Sequence, residues 1–130
     1  MHFCTVLLGS NVPDATDLID AVSVQLLGKL LQEAKCSDIL KSADQSQGVP
    51  PDAPLYSNRI IQGRTKHTRA YLESQLKAIE DQFGRRRGPE ANGWVAMDLD
   101  LVEWDGLLLR PKDASRSYFI ECMKSLQSNR

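Results

Sequence analysis

The sequence predicts an α+β fold, in which an antiparallel sheet is covered by helices mainly on one face. Short apolar runs rich in β-forming residues alternate with stretches whose apolar residues recur at helical spacing. The helical stretches also stand between groups of strands rather than after every strand, which favours an antiparallel sheet over a parallel one. We therefore expect a single sheet with helices packed on it.

The chain begins with a strand, a turn and a helix. Residues 3–8 form an apolar run that predicts a buried strand, and Gly9-Ser10-Asn11 predicts a tight polar turn after it. Pro13 and Asp14 are typical of a helix start, and the helix is expected to continue to about residue 31. Its apolar face comprises Leu18, Ile19, Val22, Leu26 and Leu30.

A weaker strand is predicted over residues 36–42, followed by a long loop over residues 43–54. The loop contains three prolines and one glycine and few residues that could pack. Loops of this length in compact domains are usually functional or disordered. Two interpretations stay open, a mobile loop that covers a substrate and a plain connection.

The next predicted unit is a strand followed by a helix. Residues 55–65 predict a strand in which Ile60 and Ile61 face opposite sides, and Gly63 indicates a bulge. Thr68 is a suitable N-cap for the helix that follows. The apolar stripe of this helix comprises Leu72, Leu76, Ile79 and Phe83.

The last third of the chain predicts a hairpin and a final helix. Residues 94–102 predict a strand, the Asp-Gly pair at 105–106 a two-residue turn, and residues 107–109 the returning strand. Asp113 or Ser115 would cap the last helix, whose inner face comprises Phe119, Cys122, Met123 and Leu126. The whole order predicts a ferredoxin-like sandwich with an appended C-terminal hairpin strand and helix.

Composition narrows the class of protein. With 130 residues, 42% of them apolar, residues 1–130 are expected to form one domain. A net charge of -1 argues against nucleic-acid binding. No apolar run is long enough to span a bilayer and no signal peptide is evident, which predicts a soluble cytoplasmic protein without a membrane partner. The oligomeric state stays open, since an exposed edge strand fits a monomer or a dimer.

Three cysteines, Cys4, Cys36 and Cys122, are widely spaced and form no metal-binding pattern. We expect them to be reduced residues that pack in the interior.

Two aspartates on the predicted strand 94–102 are the main candidate site. Asp98 and Asp100 should share one face of the strand while Leu99 and its apolar neighbours point the other way. One interpretation is a solvated strand face. The other is a cation site, because adjacent carboxylates repel each other unless a cation neutralises them. Mg²⁺ suits carboxylates combined with phosphate oxygens, and the arginines in residues 84–88 suit phosphate groups, which together indicate phosphoryl-type transfer.

Several short motifs occur in a characteristic order. They are Leu8-Gly9-Ser10-Asn11, Tyr56-Ser57-Asn58, Ile79-Glu80 leading into Gly84-Arg85-Arg86-Arg87, Asp98-Leu99-Asp100-Leu101, and Arg116-Ser117-Tyr118. In this order the chain resembles the 6-hydroxymethyl-7,8-dihydropterin pyrophosphokinases of folate biosynthesis. The resemblance implies transfer of the terminal diphosphate of ATP to the hydroxymethyl group of a reduced pterin, with release of AMP.

The resemblance also implies roles for single residues. Asp98 and Asp100 would hold two Mg²⁺ ions that bridge the phosphates of ATP, and Arg85 and Arg87 would neutralise charge on the transferred group. The nucleotide side would comprise Glu80, Arg110, Lys112 and Arg116. The pterin side would comprise Gly9, Ser10, Asn11, Tyr56, Asn58, Trp94 and Tyr118. For the two tyrosines ordinary packing is the alternative, and for the basic residues 110–116 it is a solvated surface.

The sequence departs from the family pattern at three positions. Val95 stands where the family has an arginine, Lys112 stands where it has a histidine, and Trp94 is displaced from the usual tryptophan position. These departures leave open three possibilities, which are a divergent but active enzyme, an enzyme with reduced activity and a relative with another substrate. The alternatives are a nucleotide- or pterin-binding regulatory module of the same fold, which would bind without releasing AMP, and an assembly domain that binds no ATP.

Overall fold

A computed structural model describes residues 1–44, 48–50 and 52–128 of the chain. The strands are β1 (His2–Ser10), β2 (Gln32–Cys36), β3 (Leu40–Ser42), β4 (Tyr56–Thr65), β5 (Asp98–Trp104) and β6 (Leu107–Leu108). The helices are α1 (Ala15–Lys29), α2 (Arg69–Gln82), α3 (Pro111–Ala114) and α4 (Ser117–Ser128), and a short 3-10 helix occupies Gly88–Ala91.

All six strands belong to one antiparallel sheet in the order β2-β4-β1-β5-β6, and β3 also pairs with β4. β1 and β4 are the central strands, with β1 between β4 and β5. This confirms the predicted α+β fold of ferredoxin-like type, including the appended β6 hairpin strand and the C-terminal helix.

Both faces of the sheet are covered. α1 and α2 pack on one face, in a core that includes Leu8, Ile61 and Leu99. α4 packs on the opposite face, where a smaller cluster includes Ile60 and Val102. The predicted opposite orientation of Ile60 and Ile61 is therefore confirmed. Apolar side chains on alternate positions of the central strands explain why each face can bury a helix.

The predicted turn at Gly9-Ser10-Asn11 is wrong, because β1 continues through Ser10. Gly9 and Ser10 pair with Asn58 and Ser57 of β4, and these backbone hydrogen bonds satisfy a segment whose composition favours a turn. The weaker strand predicted over residues 36–42 divides into β2 and β3. β2 begins at Gln32. Polar residues on this edge strand lack the alternation of apolar and polar residues by which a strand is predicted.

The bulge indicated by Gly63 lies in the neighbouring strand. Between Gln32 and Lys35 the pairing of β2 with β4 shifts, and Glu33 has a φ of 50°. Gly63 stands opposite this extra residue, and a Cβ at Gly63 would lie 2.9 Å from the Ala34 Cβ. The glycine therefore makes room for the bulge in β2.

Two other elements differ from their predicted boundaries. β5 begins at Asp98 rather than at residue 94, because the backbone of Val95 bonds to Asn11 instead of to a strand. A helical turn at Pro111–Ala114 precedes the last helix, so Asp113 lies inside α3 and does not cap α4. The Asp105-Gly106 turn and the Thr68 cap are confirmed, the latter by a hydrogen bond from the Tyr71 N–H to Oγ1 at 3.1 Å.

The loop predicted over residues 43–54 contains no helix or strand at its described positions. Residues 45–47 and 51 lie outside the described residues, so a role in covering a substrate stays a prediction. The three cysteines are free thiols, as predicted, and Cys4 and Cys122 are buried. None of the helices in the described ranges is both long and apolar enough to cross a bilayer.

Gly63→Ala is expected to destabilise the protein by roughly 1–3 kcal/mol, because the added methyl group would crowd Ala34 and Gln32 in β2. Gly28→Ala is the matched control. Gly28 lies in α1 with no atom within 4 Å of its would-be Cβ, so this change should stabilise the protein by about 0.5–1 kcal/mol. Urea denaturation of the two variants would show shifts of opposite sign; a shift of equal sign would contradict the crowding at Gly63.

Candidate active site

The register of the three adjacent strands β4, β1 and β5 brings the predicted site residues into one row. Gly9 pairs with Asn58 on one side and with Asp98 on the other. Paired residues of an antiparallel sheet project from the same face, so Asn58 and Asp98 flank the position where Gly9 has no side chain. The same pairing sets Leu7 between Ile60 and Asp100.

One edge of β5 is open beside the aspartates. β6 pairs only with Glu103 and Trp104, so within the described residues no strand covers the edge over residues 98–101. The N–H of Leu99 instead donates to Oε2 of Glu80 at 2.8 Å. A buried carboxylate from α2 thus satisfies the backbone of this edge.

Two clefts meet at the aspartate pair. The larger, here named the edge cleft, has a volume of about 500 Å³, and the smaller, the face cleft, about 150 Å³. The polar residues that line the edge cleft are Arg69, Glu73, Lys77, Glu80, Arg85, Arg87, Asp98, Asp100 and Arg110. The face cleft is lined by Leu7, Gly9, Ser42, Ala43, Asp44, Tyr56, Asn58, Asp98, Asp100, Arg110, Asp113, Arg116 and Tyr118. Asp98, Asp100 and Arg110 belong to both clefts.

Burial and mutual repulsion dominate the electrostatics of the pair. The pKa of Asp100 is raised to about 7, first by burial and then by the neighbouring Asp98, while Arg110 acts in the opposite direction. The Nη1 of Arg110 lies 3.8 Å from Oδ1 of Asp100, and the Nη1 of Arg85 lies 3.2 Å from Oδ1 of Asp98. Each carboxylate is therefore next to one guanidinium.

The donor set fits a divalent cation bound together with phosphates. In the part of the chain that the structure describes, no group of three or more His, Cys, Asp or Glu side chains could hold a metal ion. Asp98 and Asp100 would thus supply two carboxylates, and water and phosphate oxygens the rest, as is usual for Mg²⁺. A cation at this point would also remove the repulsion that raises the pKa of Asp100.

The two arginines predicted to be catalytic form ion pairs with acidic side chains. Arg87 contacts Glu80 at 2.7 Å and Asp81 at 3.3 Å. Arg85 donates from Nη1 to the Met97 carbonyl at 3.1 Å, while its buried Nε has no partner among the described residues. Burial raises the pKa of Glu80, whereas the Leu99 N–H and the two arginines favour its charged form.

The predicted pterin-side residues divide into two groups. Gly9, Tyr56, Asn58 and Tyr118 line the face cleft. The amide nitrogen of Asn58 donates to the Leu40 carbonyl at 3.0 Å and to Oγ of Ser42 at 2.8 Å, which orients its side chain. Burial raises the pKa of Tyr56 to about 12, so its phenol is neutral at physiological pH.

Ser10 and Asn11 are buried and line neither cleft. Asn11 donates from Nδ2 to the Gly93 carbonyl at 3.0 Å and accepts from the Val95 N–H at 2.6 Å. Ser10 donates to the Val95 carbonyl at 3.3 Å. These side chains hold the segment that leads into β5, and Trp94 within it is exposed.

On the predicted nucleotide side, Glu80 and Arg110 line the edge cleft, and Arg116 lines the face cleft. Lys112 is exposed on α3 and lines neither cleft.

Several residues that line the clefts were not predicted from the sequence. Arg69, Glu73 and Lys77 occupy successive turns of α2 beside the edge cleft. Their spacing of four residues beside the apolar stripe indicates a charged face of the helix, and this pattern is visible in the sequence. Asp44 and Asp113 line the face cleft, and no local pattern marks them, because only the tertiary structure brings them to β5.

Glu80→Ala is expected to destabilise the protein by about 2–4 kcal/mol, because it leaves the Leu99 N–H without its acceptor and removes the shorter of the two carboxylate contacts of Arg87. Glu121→Ala is the control: this exposed glutamate of α4 also forms an ion pair, with Lys124, and its loss should cost less than about 0.5 kcal/mol. Chemical denaturation measures both values, and similar costs for the two variants would contradict the structural role of Glu80.

The sequence matches a known protein family. No curated protein matches the chain. A family model described as 7,8-dihydro-6-hydroxymethylpterin-pyrophosphokinase (HPPK) matches residues 5–128. This match covers nearly the whole chain and confirms the resemblance drawn from the ordered motifs. With its ferredoxin-like sheet and its paired aspartates between two clefts, the chain belongs to the HPPK family.

Proposed function

We propose that this protein catalyses Mg²⁺-dependent transfer of diphosphate from ATP to the hydroxymethyl group of 6-hydroxymethyl-7,8-dihydropterin, with release of AMP. Membership of the HPPK family implies a pterin pyrophosphokinase of folate biosynthesis. The proposed substrates and metal rest on the position of Asp98 and Asp100, which line both the edge cleft and the face cleft. A reaction between two substrates needs both to meet at one point.

The edge cleft suits ATP. Its volume of about 500 Å³ is within the usual range for small-molecule sites. Its cationic lining residues are Arg69, Lys77, Arg85, Arg87 and Arg110. Guanidinium groups bind phosphate oxygens with paired hydrogen bonds, so this wall favours a polyphosphate.

The face cleft suits the flat, polar ring of a pterin. Tyr56 and Tyr118 can stack on such a ring, and their raised pKa values keep the phenols neutral. Both N–H donors of Asn58 bond within the sheet, so Asn58 would accept a hydrogen bond from the ring through its amide oxygen. Gly9 leaves space between Asn58 and Asp98, through which the hydroxymethyl group would reach the phosphates.

The protein's own contribution is positioning and charge neutralisation. Asp98 and Asp100 would hold Mg²⁺, which when bound neutralises and orients the phosphates of ATP. Arg85 lies beside Asp98 and lines the edge cleft, where its guanidinium would contact a phosphate of ATP. Ser10 and Asn11 keep the segment before β5 in place. Phosphoryl transfer of this kind requires no protein nucleophile.

One observation favours a second candidate, a nucleotide- or pterin-binding regulatory module. Arg85 and Arg87 are both paired with carboxylates of the protein, and Lys112 points to neither cleft. A protein with these arrangements could bind both ligands without transferring diphosphate. Calorimetry with a non-hydrolysable ATP analogue, Mg²⁺ and pterin, combined with an AMP assay, distinguishes the two: binding without AMP favours the module.

Asp98→Asn is expected to reduce AMP formation from ATP and the reduced pterin by about 10²-fold or more, because it removes a charged ligand of the metal. Asp17→Asn serves as the control. Asp17 is exposed in the first turn of α1 and lines neither cleft, so the activity of this variant should equal that of the wild type. AMP is measured by chromatography at several Mg²⁺ concentrations, and wild-type turnover by the Asp98→Asn protein would disprove the metal assignment.

A further inference from the structure

Arg110 holds a position that no other cation in the described ranges shares. It lines both the edge cleft and the face cleft. Arg85 and Arg87 line the edge cleft alone, and Arg116 lines the face cleft alone. The guanidinium of Arg110 is therefore the positive group that can contact a ligand spanning both clefts.

The backbone around Arg110 is anchored on both sides. The Leu109 N–H donates to the Val102 carbonyl at 2.7 Å, which attaches the linker to the end of β5. The carbonyl of Arg110 accepts from the Ala114 N–H at 3.1 Å, which closes the short turn of α3. A residue held in this way loses little freedom when it binds a ligand.

The side chain of Arg110 is oriented by Asp113. The Nε–H of Arg110 donates to Oδ2 of Asp113, while Nη1 faces Asp100 at 3.8 Å. Asp113 is itself mostly covered, with 20% of its side chain exposed, and lines the face cleft. The ion pair with Asp113 thus leaves the Nη side of the fork directed at the junction of the clefts.

We propose that Arg110 is a catalytic residue, which neutralises the diphosphate as it passes between the clefts, and that Asp113 is the positioning residue that orients it. This inference rests on the proposed function. In the reaction, the hydroxymethyl oxygen of the pterin forms a bond to the β-phosphorus of ATP. The bond from that phosphorus to the oxygen bridging the α- and β-phosphates breaks, AMP leaves with this oxygen, and the hydroxyl proton passes to solvent.

The place of Arg110 determines which kinetic constant it affects. The leaving oxygen would lie in the edge cleft and the attacking oxygen in the face cleft, so the β-phosphorus is at the junction during transfer. Arg110 therefore contacts the group whose charge is redistributed in the transition state. A contact that strengthens in the transition state raises kcat, whereas a contact of equal strength throughout changes only KM.

The experiment measures AMP formation by Arg110→Met, Arg110→Lys and a matched control, Arg64→Met. Arg64 is an exposed arginine that also pairs with an acidic residue, Glu33, and lines neither cleft. We expect Arg110→Met to lower kcat by about 10²–10³-fold, with each KM within about threefold of the wild type. Arg110→Lys should recover part of the rate, because it keeps the charge without the two-donor fork. Arg64→Met should match the wild type.

The positioning role of Asp113 is tested by a double-mutant cycle. Asp113→Asn should lower kcat by about tenfold, since Arg110 stays charged but is less well oriented. The double variant Arg110→Met/Asp113→Asn should be no slower than Arg110→Met, because Asp113 then has no arginine to orient. Additive losses would assign Asp113 a separate role and overturn its positioning function. Circular dichroism and urea denaturation of each variant check that folding is unchanged.

The outcomes separate this inference from the proposed function. If the wild type releases AMP and Arg110→Met retains its kcat, the catalytic role of Arg110 is wrong while the proposed function stands. A rise in KM for ATP with unchanged kcat has the same consequence, since Arg110 would then serve nucleotide binding alone. If the wild type itself releases no AMP, the proposed function fails and this inference fails with it.

Discussion

Repulsion between Asp98 and Asp100 is the constraint around which the candidate site is built. Burial of Asp100 carries a desolvation cost, and the neighbouring Asp98 adds repulsion between two like charges. Arg110 beside Asp100 offsets part of this cost, and Arg85 forms an ion pair with Asp98. Both arginines also line the edge cleft, so the groups that stabilise the carboxylates are available to bind an anionic ligand.

The scaffold supports this arrangement with buried polar side chains rather than with a continuous sheet. β5 has no strand partner beside Asp98–Leu101 within the described residues, and the buried Glu80 bonds to the Leu99 N–H in place of a strand. Asn11 holds the segment before β5 through both atoms of its amide. An open edge beside the aspartates gives a ligand access, and the buried bonds keep that edge from distorting.

The structure shows the surroundings of the residues that depart from the family pattern. The backbone of Val95 is held by Asn11 and Ser10, and Lys112 is exposed beside neither cleft. Neither position contributes a cation to the junction of the clefts. Arg110, which enters from the linker between β6 and α3, lies at that junction. In the proposed reaction, the positive charge beside the phosphates would thus come from a different element of the same fold.

The sequence by itself determined the fold class, because hydrophobic periodicity and turn residues depend on local spacing. It also determined that Asp98 and Asp100 project side by side, since side chains alternate on any strand. Tertiary structure alone decided which partners these carboxylates meet. Strand register brought Gly9 and Asn58 into line with Asp98, and the packing of α2 and α3 brought Glu80 and Asp113 to the same site.

The polar strand β2 and the start of β5 were missed for the same reason. Gln32–Cys36 forms a strand because β4 offers an unpaired edge, and β5 begins only at Asp98 because Asn11 binds the backbone of Val95. The formation of β2 and the start of β5 both depend on hydrogen bonds between residues far apart in the chain, which local propensity does not encode.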